Sequence, residues 1–241
     1  MNDVVTESLI AGQKTRDIVV EIVSATRLSE EEFWERSALG QSLACFAHDP
    51  CFATRISFEN KRGLPELYNE SIRASAAHDI LVFVHDDVWL NDYFLVDRLV
   101  ESFHAFDVIG VAGNRRRSPR QTAWFSAGND LTPDFGNLSG LVGHGQGPLE
   151  GAKYFGYAPA ACELLDGVFL AAKKSTLVKS NVLFDPRFRF HFYDMDFCRT
   201  ARQNNLKLGT SRINLTHQSV GDFTSPGWRE GSAAYLAKWG N

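Results

Sequence analysis

The chain has 241 residues, 44% hydrophobic and 22% charged, which is enough to bury a full core in one sizeable domain. Its net charge of -4 gives none of the electrostatic footprint of a nucleic-acid binder. No apolar run reaches the roughly 20 residues needed to cross a bilayer, and the start MNDVVTESLIAG lacks a signal peptide's basic opening and apolar core, so a cytoplasmic protein is expected.

Taken in order, residues up to about Asp17 read as a loose leader. Residues 18–23 (IVVEIV) read as a buried first strand. Ser29 with Glu32 three residues on predicts a capping box, and Phe33, Trp34 and Ala38 give the following helix an apolar side. A connector with Asp49-Pro50 leads to an extended run (Ile56, Phe58) and a polar turn closed by Gly63. Leu64, Tyr68, Ile72 and Ala76 then recur every fourth residue, so the spacing predicts a helix that lays one face on a sheet, with Pro65 near its start where no backbone donor is needed. The run ILVFV at 80–84 is apolar on both faces, as an interior parallel strand requires. It ends in His85-Asp86-Asp87, at the carboxyl end where open α/β sheets bind ligands. Asn91 predicts the cap of a helix carrying Val96, Leu99, Val100 and Phe103, and 107–112 (DVIGVA) reads as a further strand. The succession βαβαβ implies a parallel sheet with right-handed crossovers.

Residues 113–162 are rich in glycine, broken by prolines and without sustained periodicity. A structureless loop of that length is unusual, so a hairpin or short helices forming a wall or lid are expected. The segment opens with Arg115, Arg116, Arg117 and Arg120, which read equally as a solvated charge run or a phosphate cradle. LLDGVFLAA at 164–172 is an apolar strand interrupted by Asp166-Gly167, where the missing side chain allows a close approach. In FRFHFYDMDFCRTARQNN, Asp194 and Asp196 open a helix running to about Asn204. The helix dipole alone accounts for acids there, but the surrounding aromatics would desolvate them and raise their pKa toward that of a useful base. Short strands follow at 206–208 and 213–215, the second leading to His217, and a helix with Trp228, Tyr235 and Trp239 closes the chain. Cys45, Cys51, Cys162 and Cys198 have no CxxC spacing and read as buried free thiols.

The run NKRGLPELYNESIRASAAHDILVFVHDDV resembles the nucleotide-sugar half of the family 2 glycosyltransferases of GT-A fold, with its turn, helix and apolar strand leading to a DxD-type metal motif. LLDGVFLAAKK is similar to that family's acceptor-side strand, and FYDMDFCRTARQNNLKLG to its ED-x-D-L-x-x-R stretch. HDDV together with GVAG at 110–113 resembles the glycosyltransferase-like branch associated with streptomycin-type biosynthesis.

The resemblance implies an α/β protein of GT-A fold, with a mostly parallel central sheet flanked by helices. It would be a single domain with a nucleotide-binding half at about 18–112 and an acceptor half at about 113–241. The implied activity is inverting transfer of a sugar from a nucleotide-diphosphate donor, UDP-linked by expectation, to an acceptor hydroxyl. A divalent cation, Mn²⁺ or Mg²⁺, would serve the departing diphosphate as Lewis acid. Asp87 and His217 would hold it, while Asp86 would lie nearer the donor ribose or sugar. His85 stands where the family's motif has its first aspartate. Thr26, Glu59, Asn60 and Asn69 would shape the nucleotide pocket, and Asp166 with Gly167 would border the acceptor. Asp194, preceded by Tyr193 where the family has glutamate, would be the general base. A noncatalytic nucleotide- or sugar-binding module, a nucleotide hydrolase and a sugar-nucleotide pyrophosphorylase are the rival readings. The last wants a glycine-rich phosphate loop, and SATRLSEEEF after the first strand has none.

Overall fold

The computed structural model describes residues 18–75 and 78–240. The expected leader up to Asp17, and Ala76 at the end of the apolar stripe, lie outside the described residues.

In chain order the elements are β1 (Val20–Ala25), α1 (Glu30–Arg36), α2 (Ala38–Ala44), β2 (Phe52–Ser57), α3 (Leu64–Arg73), β3 (Ile80–Val84), β4 (Val88–Leu90), α4 (Leu95–Ser102), β5 (Val108–Gly110) and β6 (Ala112–Asn114). There follow β7 (Leu138–His144), β8 (Ala152–Gly156), β9 (Ala161–Cys162), β10 (Leu164–Leu165), β11 (Phe169–Lys173), α5 (Lys174–Lys179), α6 (Tyr193–Gln203), β12 (Leu208–Thr210), β13 (Leu215–His217) and α7 (Pro226–Trp239). The capping box of α1 forms as its sequence dictates: the Ser29 hydroxyl accepts from the Glu32 N–H, and the Glu32 carboxylate accepts from the Ser29 N–H. Pro65 sits in the first turn of α3. Asn91 does not cap α4: Asp92 accepts the Phe94 N–H at 3.0 Å instead, and the Asn91 amide reaches across to the Thr216 hydroxyl.

The main sheet has the order β2-β1-β3-β11-β5-β12-β9. Its parallel pairs join β1 to β2, β1 to β3 and β5 to β12, while β11 is antiparallel to both β3 and β5. Five of the seven strands therefore share one direction, with β11, from late in the chain, inserted between two strands from its first half. All five residues of β3 are buried, because helices cover one face and later segments the other. A second sheet, β10-β6-β7-β13-β4 with β8 on the far side of β7, is built largely from the stretch without periodicity. The hairpin expected there is β7 and β8, paired antiparallel. One apolar core joins residues of both sheets, including Phe83, Leu170, Phe184, Phe197 and Leu215. Full burial of each such side chain contributes roughly 1.5–3 kcal/mol. Three of the four thiols are buried as expected; Cys45 is exposed, at the polar end of α2.

Candidate functional site

A cavity of about 570 Å³ opens where β1 and β3 end, between the loop after β3, the start of α6 and the second sheet. Its polar side is built by two chain returns. Asp86 and Asp87 leave the end of β3 and are held by their carbonyls, which accept from the Leu39 and Gln218 N–H groups at 3.1 and 3.0 Å. His217 arrives on β13, which pairs antiparallel with β4 so that His217 stands opposite Val88, one residue from Asp87. His217 Nε2 then lies 3.2 Å from Asp87 Oδ1.

The donor atoms of His85, Asp87 and His217 all fall within 4.8 Å of one another. Asp87 Oδ1 is buried and, despite its proximity to His217, makes no aligned hydrogen bond. A buried carboxylate oxygen left short of a partner beside two imidazoles fits a divalent cation, which satisfies the orphaned lone pair. Burial opposes charge on Asp87, yet the adjoining His217 imidazole holds its carboxyl well below the usual range. Burial likewise works against charge on His217, and Asp87 overcomes it, raising the imidazole above its ordinary value. His85 goes the other way: burial pushes it down to about 4, so its ring is neutral at pH 7.

Asp194 faces the same cavity from the first turn of α6. That helix is entered through Phe192, held at φ 67°, a left-handed conformation uncommon for a bulky side chain, which lies 5.5 Å from the Trp228 ring. Asp194 Oδ2 accepts the Gly167 N–H at 3.0 Å. Burial and then the charge of Asp166 raise its carboxyl to about 7. Asp166 is also raised, by burial, and meets the Trp124 side chain. The opposite wall is aromatic, with Trp124, Phe125, Phe155 and Phe223 in a chain of edge contacts 5.1 to 5.7 Å apart.

Of the residues singled out in the sequence, Asp86, Asp87, Asp166, Gly167, Asp194 and His217 line this one cavity. Thr26, Glu59, Asn60 and Asn69 do not. Thr26 is buried beside the Asp86 carboxyl, so it stands one layer behind the wall. Asn60 closes a turn on the Arg62 backbone, and Glu59 is exposed at φ 46°. Asn69 is 4% exposed and spends both ends of its amide on the backbone of Phe184, at 2.8 and 2.9 Å. Buried and engaged at both ends by the Phe184 backbone, it does not reach the cavity. The arginine cluster is not on the cavity wall: Arg116 pairs with Asp134 at 3.0 Å, and Arg117 lines a separate cleft. Asp196 turns away too, its carboxylate 2.7 Å from both Lys238 Nζ and Trp239 Nε1.

Sequence reasoning did not place His85 in this cluster, because the position read as a lost aspartate. It also missed His144, which stands beside His217 in the β7–β13 pairing and whose buried Nδ1 has no partner. Neither strand nor register of β7 was legible in its glycine-rich sequence.

Residues 52–220 match the profile of the glycosyltransferase-like family, so the chain belongs to that family. Its α/β architecture is the GT-A class expected from the sequence. No curated protein matches the chain. Solved structures to which it is similar include a mutant of Drosophila β-1,4-galactosyltransferase 7 with manganese, UDP-Gal and xylobiose, at 10% identity and TM-score 0.48, covering 86% of this chain and 72% of that one. GalNAc-T7 with UDP, GalNAc and Mn²⁺ is similar at 9% identity and TM-score 0.49, over 91% of this chain and 48% of that one. A fragment of TarS from S. aureus is similar at 12% identity and TM-score 0.45, over 83% and 60% respectively. Among the described residues no helix is long and apolar enough to cross a membrane.

Proposed function

We propose that the protein is an inverting glycosyltransferase that moves a sugar from a nucleotide-diphosphate donor, UDP-linked, to an acceptor hydroxyl. The carrying observation is that Asp194 and the cluster of His85, Asp87 and His217 open into one cavity, with the Asp194 carboxyl raised to about 7. A base poised near neutrality can take a proton and release it again. Family membership and the resemblance of HDDV and GVAG to the streptomycin-type branch support the reading.

Asp87 and His217 would hold Mn²⁺ or Mg²⁺, and the bound cation would supply Lewis-acid stabilisation of the diphosphate leaving group. Asp194 accepts the proton of the acceptor O–H. The oxygen forms its bond to the anomeric carbon while the carbon–oxygen bond to the diphosphate breaks, its electron pair leaving with the nucleotide. Gly167 N–H orients the base, and Asp166 borders the acceptor. Asp86, with Thr26 behind it, faces the donor sugar, and Glu59 and Asn60, outside the cavity wall, would meet a nucleotide base that extends beyond it.

Incubating the protein with a panel of nucleotide sugars and Mn²⁺, with thermal shift and nucleotide release as readouts, tests the proposal. UDP with metal is expected to stabilise the wild type, less so Asp87→Ala. Asp194→Asn is expected to keep donor binding and lose transfer by about 10²–10⁴-fold. Absence of a shift with every nucleotide would leave the noncatalytic sugar-binding reading in its place.

A further inference from the structure

We propose that His85 is itself a donor to the cation, completing a site of two imidazoles and one carboxylate with Asp87 and His217, and that this makes the site prefer Mn²⁺ over Mg²⁺. The inference rests on the transferase reading only for the purpose of the site.

The tautomer of His85 is set from the backbone of Gly167. Its carbonyl oxygen can only accept, and the Tyr193 hydroxyl lies 2.7 Å from it, so the Tyr193 proton points there. The Tyr193 oxygen also lies 2.8 Å from His85 Nε2. With its own proton committed, that oxygen accepts, and Nε2 carries the ring's hydrogen. The neutral imidazole has one lone pair on nitrogen, and it is left on Nδ1. The ring plane is held as well: Phe190 stacks on it at 5.8 Å between centroids and 22° between planes. This is the arrangement in which an outer hydrogen bond fixes the tautomer and orientation of a ligating histidine.

Gly167 also donates its N–H to Asp194, so a single residue holds both the ligand's relay and the base. A side chain at that position would meet the Tyr193 hydroxyl at 2.5 Å and Asp194 Cβ at 2.8 Å. Glycine is what lets the two converge. Where the resembled motif has an aspartate, this chain offers nitrogen in place of oxygen and one negative charge fewer. Mg²⁺ demands oxygen and gives up its water reluctantly, whereas Mn²⁺, the weakest binder of the divalent transition series, still takes nitrogen more readily than Mg²⁺ does.

The test uses the full-length protein without nucleotide. Imidazole ¹⁵N NMR of the metal-free protein should report the Nε2–H tautomer for His85. Calorimetric titration should give Mn²⁺ at least about tenfold tighter than Mg²⁺, and His85→Asp should bring the two affinities together. Tyr193→Phe, which keeps the ring but removes the relay, should weaken Mn²⁺ binding about 10–100-fold. His85→Gln, which keeps a donor toward Tyr193, should lose the same affinity while its thermal unfolding stays near wild type. An Nδ1–H tautomer, or unchanged Mn²⁺ affinity in folded His85→Gln, would overturn the proposal. If UDP fails to bind while the metal pattern holds, the transferase reading falls and this one stands.

Discussion

Gly167 donates its backbone N–H to the Asp194 carboxylate at 3.0 Å, joining the interruption in one predicted strand to the first turn of a helix 27 residues on. The bond supplies a fixed dipole to a carboxylate that burial would otherwise leave neutral, at the wall of the cavity. Gly167→Ala is therefore expected to cost about 1–3 kcal/mol of stability through overpacking and to reduce transfer more than donor binding. Urea unfolding and a comparison of kcat with donor Kd measure the two effects separately.

The raised Asp194 pKa sets the pH profile. As a base it works ionised, so kcat/KM should rise with pH and level off above about 7, and the limb should vanish in Asp194→Asn. The stability sign is opposite. Between the ordinary carboxylate range and about 7 the unfolded chain has lost this proton and the folded chain keeps it, so the group's contribution falls as pH rises through that window. Asp194→Asn should accordingly gain Tm over wild type between pH 4 and 7, and hold the gain above. A Tm difference that shrinks across that window contradicts the assignment.

Asn69 separates a structural tie from a ligand contact. Asn69→Ala would leave the Phe184 N–H and carbonyl buried without partners, for a loss of about 1–3 kcal/mol for each unsatisfied group. The Kd for UDP should stay within about twofold when measured well below the lowered Tm. A large loss of nucleotide affinity at unchanged stability would restore the pocket role that the resemblance implied.

Lys238 answers a buried charge. Asp196 is 0% exposed, and its Oδ1 meets Lys238 Nζ and Trp239 Nε1, each at 2.7 Å. Lys238→Met would strand the carboxylate and cost about 3–5 kcal/mol, and Asp196→Asn in the same chain should recover part of it. Chemical denaturation of the single and double variants reads both. Mn²⁺ affinity should not change.

The first βαβ unit and its acidic end were legible because each signal there is local. Five apolar residues in β3 state burial on both faces, and the four-residue spacing of Leu64, Tyr68 and Ile72 states the covered face of α3. The raised carboxyl of Asp194 was legible from its aromatic neighbours in sequence. What escaped depends on partners far along the chain. Asn69 looks like a helix surface residue until Phe184, 115 residues away, closes on it. The direction of β11 escaped because an apolar run carries burial but no sense of direction. The donor role proposed for His85 escaped because it depends on the Tyr193 hydroxyl, which only the folded helix brings to the ring.

The placement of β11 between β3 and β5 bears on how the polypeptide can be made and cut. A ribosome releasing residues 1–112 has delivered β3 and β5 but not the ribbon that must lie between them, so the early portion cannot close its sheet until residue 173 has emerged. Expressed by itself, that portion should expose the unpaired edges of β3 and β5 and aggregate, and co-expression with residues 113–241 should recover soluble material. Long-range strand insertion of this kind also predicts refolding on the slow side for a chain of this length.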